Sequence, residues 1–197
     1  EHNVDLAAAW SALDAVAPNS DSAAQAQIAR QFVSSQWDAG EGRFLIGTGA
    51  DGRTSDRVRS GLDAQIWPLI ALQDPPRDWR RVFAFIDHAH RAGEGYGFNR
   101  DPDGLWTEGT AQAAAVAQLN GLSDKAKPLW SVLRAQGAGN GWRYATPAPR
   151  ISTGLAIGPD SVTNDFFYYH LPHLGATAWA AIAATGVNPF TGFQEAD

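Results

Sequence analysis

The chain has 197 residues, 44% of them apolar and 11% aromatic, which is enough to bury one core of ordinary domain size. Its net charge of −6 offers no basic stripe for phosphates, so neither nucleic acid nor an anionic membrane surface is an expected partner. No apolar run approaches the ~20 residues a membrane-spanning helix needs, and the absence of cysteine excludes disulfides, thiol nucleophiles and cysteine-bound zinc. The chain opens on Glu1 rather than Met, from which the removal of a leader, a tag or an N-terminal portion is expected.

Helical periodicity dominates the pattern. Val4, Leu6, Ala7, Trp10, Leu13 and Val16 predict a helix over 3–17, and "APNS" separates it from a second over about 21–37 that carries Ile28, Phe32, Val33 and Trp37. The Gly- and Asp-rich stretch after Trp37 reads as a loop or a short β-hairpin. Leu62, Ile66, Leu69, Ile70 and Leu72 mark a third helix whose Pro68 sits in its first turns or kinks it, and Trp79, Val82, Phe83 and Ile86 mark a fourth that reaches about His90. His88 and His90 read as surface residues of this outer helix. Two more helices span 108–120 and 123–136. A long Gly- and Pro-rich stretch, 137–165, precedes a last helix over 173–185, which stops at "TGVNPF".

Alternate helices start alike. "EHNVDLAAAW", "GLDAQIWPLIAL", "TEGTAQAAAVAQL" and "HLPHLGATAWAAIAA" each begin with acids, amides or imidazoles and continue in small apolar residues. The helices between them are more charged. An inner ring packed on both sides needs small residues, whereas an outer ring faces water, so the pattern predicts a single domain over 1–197: an all-α array of α/α-hairpins, toroid-like, with about seven helices. Trp10, Trp67 and Trp179 belong to its core.

Parallel inner helices would bring their N-termini to one end. Glu1, His2, Asp5, Asp63, Gln65, Glu108, Gln112, His170 and His173 then meet there, among loop aromatics that include Trp106, Trp142, Tyr144 and Tyr168. Two carboxylates in different environments are what general acid–base cleavage of a glycosidic bond requires, and the aromatics suit stacking on sugar faces. Each acid has a plainer reading, in which Asp63 and Glu108 only satisfy free N–H groups of a first helical turn and Glu1 and His2 fray at a chain end. His170 and His173 lack further ligands at zinc spacing, so no metal is expected. "NRDPDGLW", with Asp101, Asp103 and Gly104, begins like a calcium loop but lacks the closing Glu, and reads as a tight turn. "GAGNG" and "GEGYG" are not followed by the Lys-Ser or Lys-Thr of a phosphate loop, and no cofactor is expected.

The succession "EHNVDLAAAW", "RFLIGTGADG", "GLDAQIWPLIAL", "GFNRDPDGLWTEGTAQAAAVAQLNG" and "LPHLGATAWAAIAATGVNPF" resembles the C-terminal part of bacterial six-hairpin, (α/α)6-toroid proteins of the glycosidase-like superfamily. The resemblance implies a carbohydrate-active protein, usually secreted to the periplasm or cell exterior, and points to Glu1, His2, Asp5, Asp63 and Glu108. A full toroid has twelve helices and seven are read here, which implies a partial barrel completed by self-association or a partner chain. On these grounds the expected activity is glycan hydrolysis with Glu108 as general acid and Asp63 or Asp5 as base. The rivals are a non-catalytic glycan-binding or assembly module on the same scaffold, and a terpene- or prenyl-handling enzyme, against which the missing Asp-rich cluster weighs.

Overall fold

A computed structural model describes residues 1–100, 102–158 and 166–192. The expected turn over 99–106 is therefore described on both sides of Asp101 but not at it, and the end of the Gly- and Pro-rich stretch, 159–165, lies outside the described residues.

In chain order the elements are α1 (His2–Val16), α2 (Ser20–Ser35), β1 (Trp37–Asp38), β2 (Arg43–Phe44), α3 (Leu62–Ile66), α4 (Pro68–Ala71), a 3-10 turn (Arg77–Arg81), α5 (Val82–Ala89), β3 (Arg91–Ala92), β4 (Gly95–Tyr96), α6 (Thr107–Leu119), α7 (Ser123–Ala135), β5 (Arg150–Ser152), β6 (Phe167–Tyr169) and α8 (Leu174–Thr185). The all-α hairpin array is as the sequence predicts. Asn19 starts α2 by accepting the N–H groups of Asp21 and Ser22 at 3.0 and 2.9 Å. Pro68 has no N–H for the ladder, and it breaks the third helix into α3 and α4, with Trp67 still helical at the joint. The fourth helix starts as the tighter 3-10 turn, and the residues after Ala89 turn into a strand.

The inner layer is α1, α3 with α4, α6 and α8, packed in that order. On the outside α2 covers α1, α5 covers α3, and α7 covers α6. Ten of the thirteen residues of α6 are buried, because it touches helices on three sides. Ala, Gly and Thr make that possible. An added Cβ on Gly109 would sit 2.1 Å from the Trp106 ring and 2.8 Å from Leu62. At the array's ends the packing stops. Leu13 and Val16 of α1 are 41% and 81% exposed, and in the almost wholly apolar α8 only Ala176 and Ala183 are buried.

Each outer helix returns to the next inner one through a short hairpin at the same end of the array. The antiparallel pairs are Trp37↔Phe44, Arg91↔Tyr96 and, after α7, a Gly137↔Arg143 bridge. These three turns carry "AGEG" at 39–42, "AGEG" at 92–95 and "AGNG" at 138–141. The residue that ends each outer helix, Gln36, His90 or Gln136, is buried, and its carbonyl accepts the N–H of Leu45, Gly97 or Tyr144 across the hairpin. Gly42, Gly93, Gly139 and Gly141 take positive φ, as tight hairpin turns require. His90 is thus not the surface residue expected of it. It is fully buried, and its Nε2 lies 2.8 Å from the Ser60 hydroxyl.

The crowding at Gly109 reverses the usual helix propensity. Gly109→Ala should destabilise the fold by about 1–2 kcal/mol in urea denaturation, since overpacking outweighs the ~1 kcal/mol that Ala ordinarily gains over Gly in a helix.

Candidate active site at the inner helix mouths

The polar N-termini of the inner helices share one end of the array. Glu1 precedes α1, Asp5 lies in its first turn, Asp63 and Glu108 are in the first turns of α3 and α6, and His173 caps α8. Their electrostatic coupling shows the convergence. Asp63 and Glu1 both act on Glu108, Glu1 and Asp5 act on Asp63, and Glu1 acts on Asp5. Glu1 lies at the chain start yet belongs to the cluster.

Glu108 does not cap its helix. It makes no hydrogen bond among the described residues, and its side chain is only 17% exposed. Burial first, and then the charges of Asp63 and Glu1, push its pKa up to about 7. Asp63 is buried more deeply. Desolvation followed by Glu1 raises it to about 6, against a short hydrogen bond in which the Ala64 N–H donates to its Oδ1 at 2.6 Å. Asp5, exposed on α1, is also raised, by desolvation and then by Glu1. The pair therefore holds one carboxyl that keeps its proton near neutrality beside another that has mostly lost it.

Aromatic rings wall the site. Trp106 is buried under Phe98 and Tyr168, with centroids 4.8 and 5.6 Å away, and Tyr168 meets the edge of His173 at 5.3 Å. Burial, together with the charges of Glu108, Asp63 and Glu1, raises the Tyr168 phenol, which stays neutral. Asp63 opens onto a groove of ≈ 630 Å³, lined also by Glu1, His2, Arg59, Phe98 and Arg100. Among the described residues no group of three or more His, Asp or Glu is arranged to hold a metal ion.

Other sequence candidates are engaged in contacts of their own. Gln65 is fully buried, and its amide is spent on the backbone of Phe44, at 2.9 and 2.8 Å, and on Ser60, so it fastens the first hairpin to α3 instead of facing the groove. Gln112 is buried in α6 one turn beyond Glu108, its Oε1 without a hydrogen bond among the described residues. Tyr144 stacks on His170 at 3.9 Å, and His170 Nδ1 donates to the Thr146 carbonyl at 2.7 Å. Trp142 is 41% exposed in the third hairpin. Sequence reasoning passed over Arg59 and Arg100 at the groove, and also Gly175, whose first-turn position in α8 lies against the Glu108 carboxylate. The repeated "AGEG" turns, a sequence signal for the mouth end, were passed over as well.

No sequence-family model matches the chain, and comparison with curated proteins gives no significant match. Solved structures do match. A glycosyl hydrolase family 88 protein from Bacteroides vulgatus superposes with a TM-score of 0.61 at 13% identity, over 95% of this chain and 62% of that one. The unsaturated glucuronyl hydrolase of Bacillus sp. GL1, responsible for the degradation of glycosaminoglycan, superposes with a TM-score of 0.54 at 17% identity, over 90% of this chain and 51% of that one. The fold is shared with α/α-toroid glycosidases. This chain spans between half and two thirds of the length of these structures, and among its described residues no helix is long and apolar enough to cross a membrane.

The carboxyl environment sets a stability test that needs no substrate. Below about pH 4.5, the ordinary value for Glu, folded and unfolded chains both hold the Glu108 proton. Between there and about 7 only the folded chain holds it, so its stability falls as pH rises through that window and the cost of the buried charge is complete above it. Glu108→Gln should therefore stabilise the fold by up to about 3 kcal/mol at pH 8 and by little at pH 4, measured by urea unfolding at both.

Proposed function

We propose that the chain forms the catalytic end of a glycan-cleaving enzyme. Glu108 acts as general acid on the leaving oxygen, and Asp63, with Asp5 beside it, acts as the base that activates water. The observation that carries this reading is the half-buried Glu108, without a hydrogen bond among the described residues and raised to about 7, beside the buried Asp63, raised to about 6. Two carboxyls whose environments separate their proton affinities supply an acid and a base at one pH. Tyr168 and Phe98, packed over the buried Trp106, offer ring faces for a sugar. The fold-level likeness to a glycosaminoglycan-degrading glucuronyl hydrolase favours an acidic oligosaccharide.

Turnover of unsaturated glycosaminoglycan fragments should follow a bell-shaped pH profile centred between about 6 and 7, since Asp63 must be ionised and Glu108 protonated. Glu108→Gln should lower kcat by roughly 10²–10⁴-fold with the helical circular dichroism unchanged. Full activity in that variant would reject the acid role. A non-catalytic glycan-binding module is the second reading, favoured by the array's open ends; glycan binding without turnover under all conditions would establish it.

The bare flanks of α1 and α8 support a further reading, that another chain or a second copy covers them. The isolated 21.1 kDa chain should elute above its monomer mass in size-exclusion chromatography. A stable monodisperse monomer would remove this idea.

A further inference from the structure

The first turn of α8 lies directly against the Glu108 carboxylate, where a Cβ on Gly175 would stand 2.3 Å from Oε2 and 2.7 Å from Cδ. A carboxylate at a helix N-terminus ordinarily accepts the free N–H groups there and becomes easier to ionise. Glu108 does not. The Ala176 N–H donates instead to His173 Nδ1 at 3.2 Å, while Glu108 Oε2 waits 3.6 Å from the same nitrogen. Because Nδ1 accepts that hydrogen bond, its imidazole is the neutral Nε2–H form, and burial lowers its proton affinity further, so the close approach to Glu108 is no ion pair. The cap is itself held in place. The His173 N–H donates to the Arg143 carbonyl at 2.8 Å, the Arg143 N–H donates to the Thr177 hydroxyl at 3.0 Å, and that hydroxyl donates to the His173 carbonyl at 2.8 Å.

We propose that His173 is a positioning residue for Glu108: its ring occupies the Ala176 N–H that the Glu108 carboxylate would otherwise take, and Gly175 leaves the space in which that carboxylate sits. The role matters to catalysis only on the reading of Glu108 as general acid. The groups that face Glu108 are Asp63 from α3, Glu1 ahead of α1, Tyr168 from β6 and His173 itself. All but His173 are untouched by the substitutions below.

The test is the carboxyl ¹³C titration of Glu108 in the full chain by NMR, with the resonance assigned from Glu108→Gln, so no substrate is needed. His173→Ala frees the Ala176 N–H, and the Glu108 pKa is expected to fall by about one unit, a tenfold change in its ionisation constant. His173→Asn places another good capping acceptor on the same N–H and is expected to keep the wild-type titration. Should His173→Ala fold poorly, His173→Gly, a tolerated helix cap with no side-chain acceptor, gives the same reading. An unchanged Glu108 titration in a folded Ala or Gly variant would overturn the proposal. An equal fall in His173→Asn would overturn it as well, since ring burial and not occupancy of the N–H would then be responsible. Retained turnover in Glu108→Gln would instead remove the acid role and leave this titration result standing.

Discussion

The close approach of α6 to its neighbours is the constraint on which the rest of the molecule depends. A helix walled on three sides by other helices favours short side chains, and Ala111, Ala113, Ala114, Ala115 and Ala117 are accordingly buried almost completely. The same economy of volume recurs at Gly109 under Trp106 and at Gly175 against Glu108. Larger residues at these points would push α6 away from α3 and from α8 and open the Glu108 environment to water. The acid's unusual proton affinity is therefore a consequence of packing before it is one of charge.

Given that approach, the chemistry follows from what the helix mouths withhold. Four N-terminal ends pointing one way would normally favour ionised carboxylates. Here desolvation and mutual repulsion prevail, and the Ala176 N–H at the α8 mouth is engaged by His173. Asp63 keeps one such hydrogen bond and titrates lower; Glu108 keeps none and titrates higher. Both carboxyls are raised toward neutrality mainly by desolvation, with Glu108 the higher of the two.

The hairpins that close the outer helices fix the geometry of that end. In each, a positive-φ glycine turn brings the chain back, and a buried polar residue at the helix end supplies the carbonyl that receives it. In the first two units the returning strand is further tied to the following inner helix, by Gln65 to Phe44 and by Thr110 to Tyr96 at 3.1 Å. Likeness of fold to carbohydrate-degrading enzymes is consistent with this scaffold, but on such scaffolds the reaction is decided by the side chains at the mouth.

The sequence by itself determined the helices, their alternation between small-residue and charged surfaces, and the polar starts of the inner ones, since these depend on local periodicity and side-chain size. It also carried the "AGEG" turns at 39–42 and 92–95, whose recurrence marks the hairpins. It could not distinguish Gln65, spent on a backbone, from Glu108, left without a partner, because both are polar residues in the first turns of similar helices. Nor could it show that His90 is internal, which depends on Ser60, thirty residues away. Those distinctions belong to the tertiary structure alone. Burial and hydrogen-bond occupancy are set by which distant segments meet, and no spacing along the chain records that.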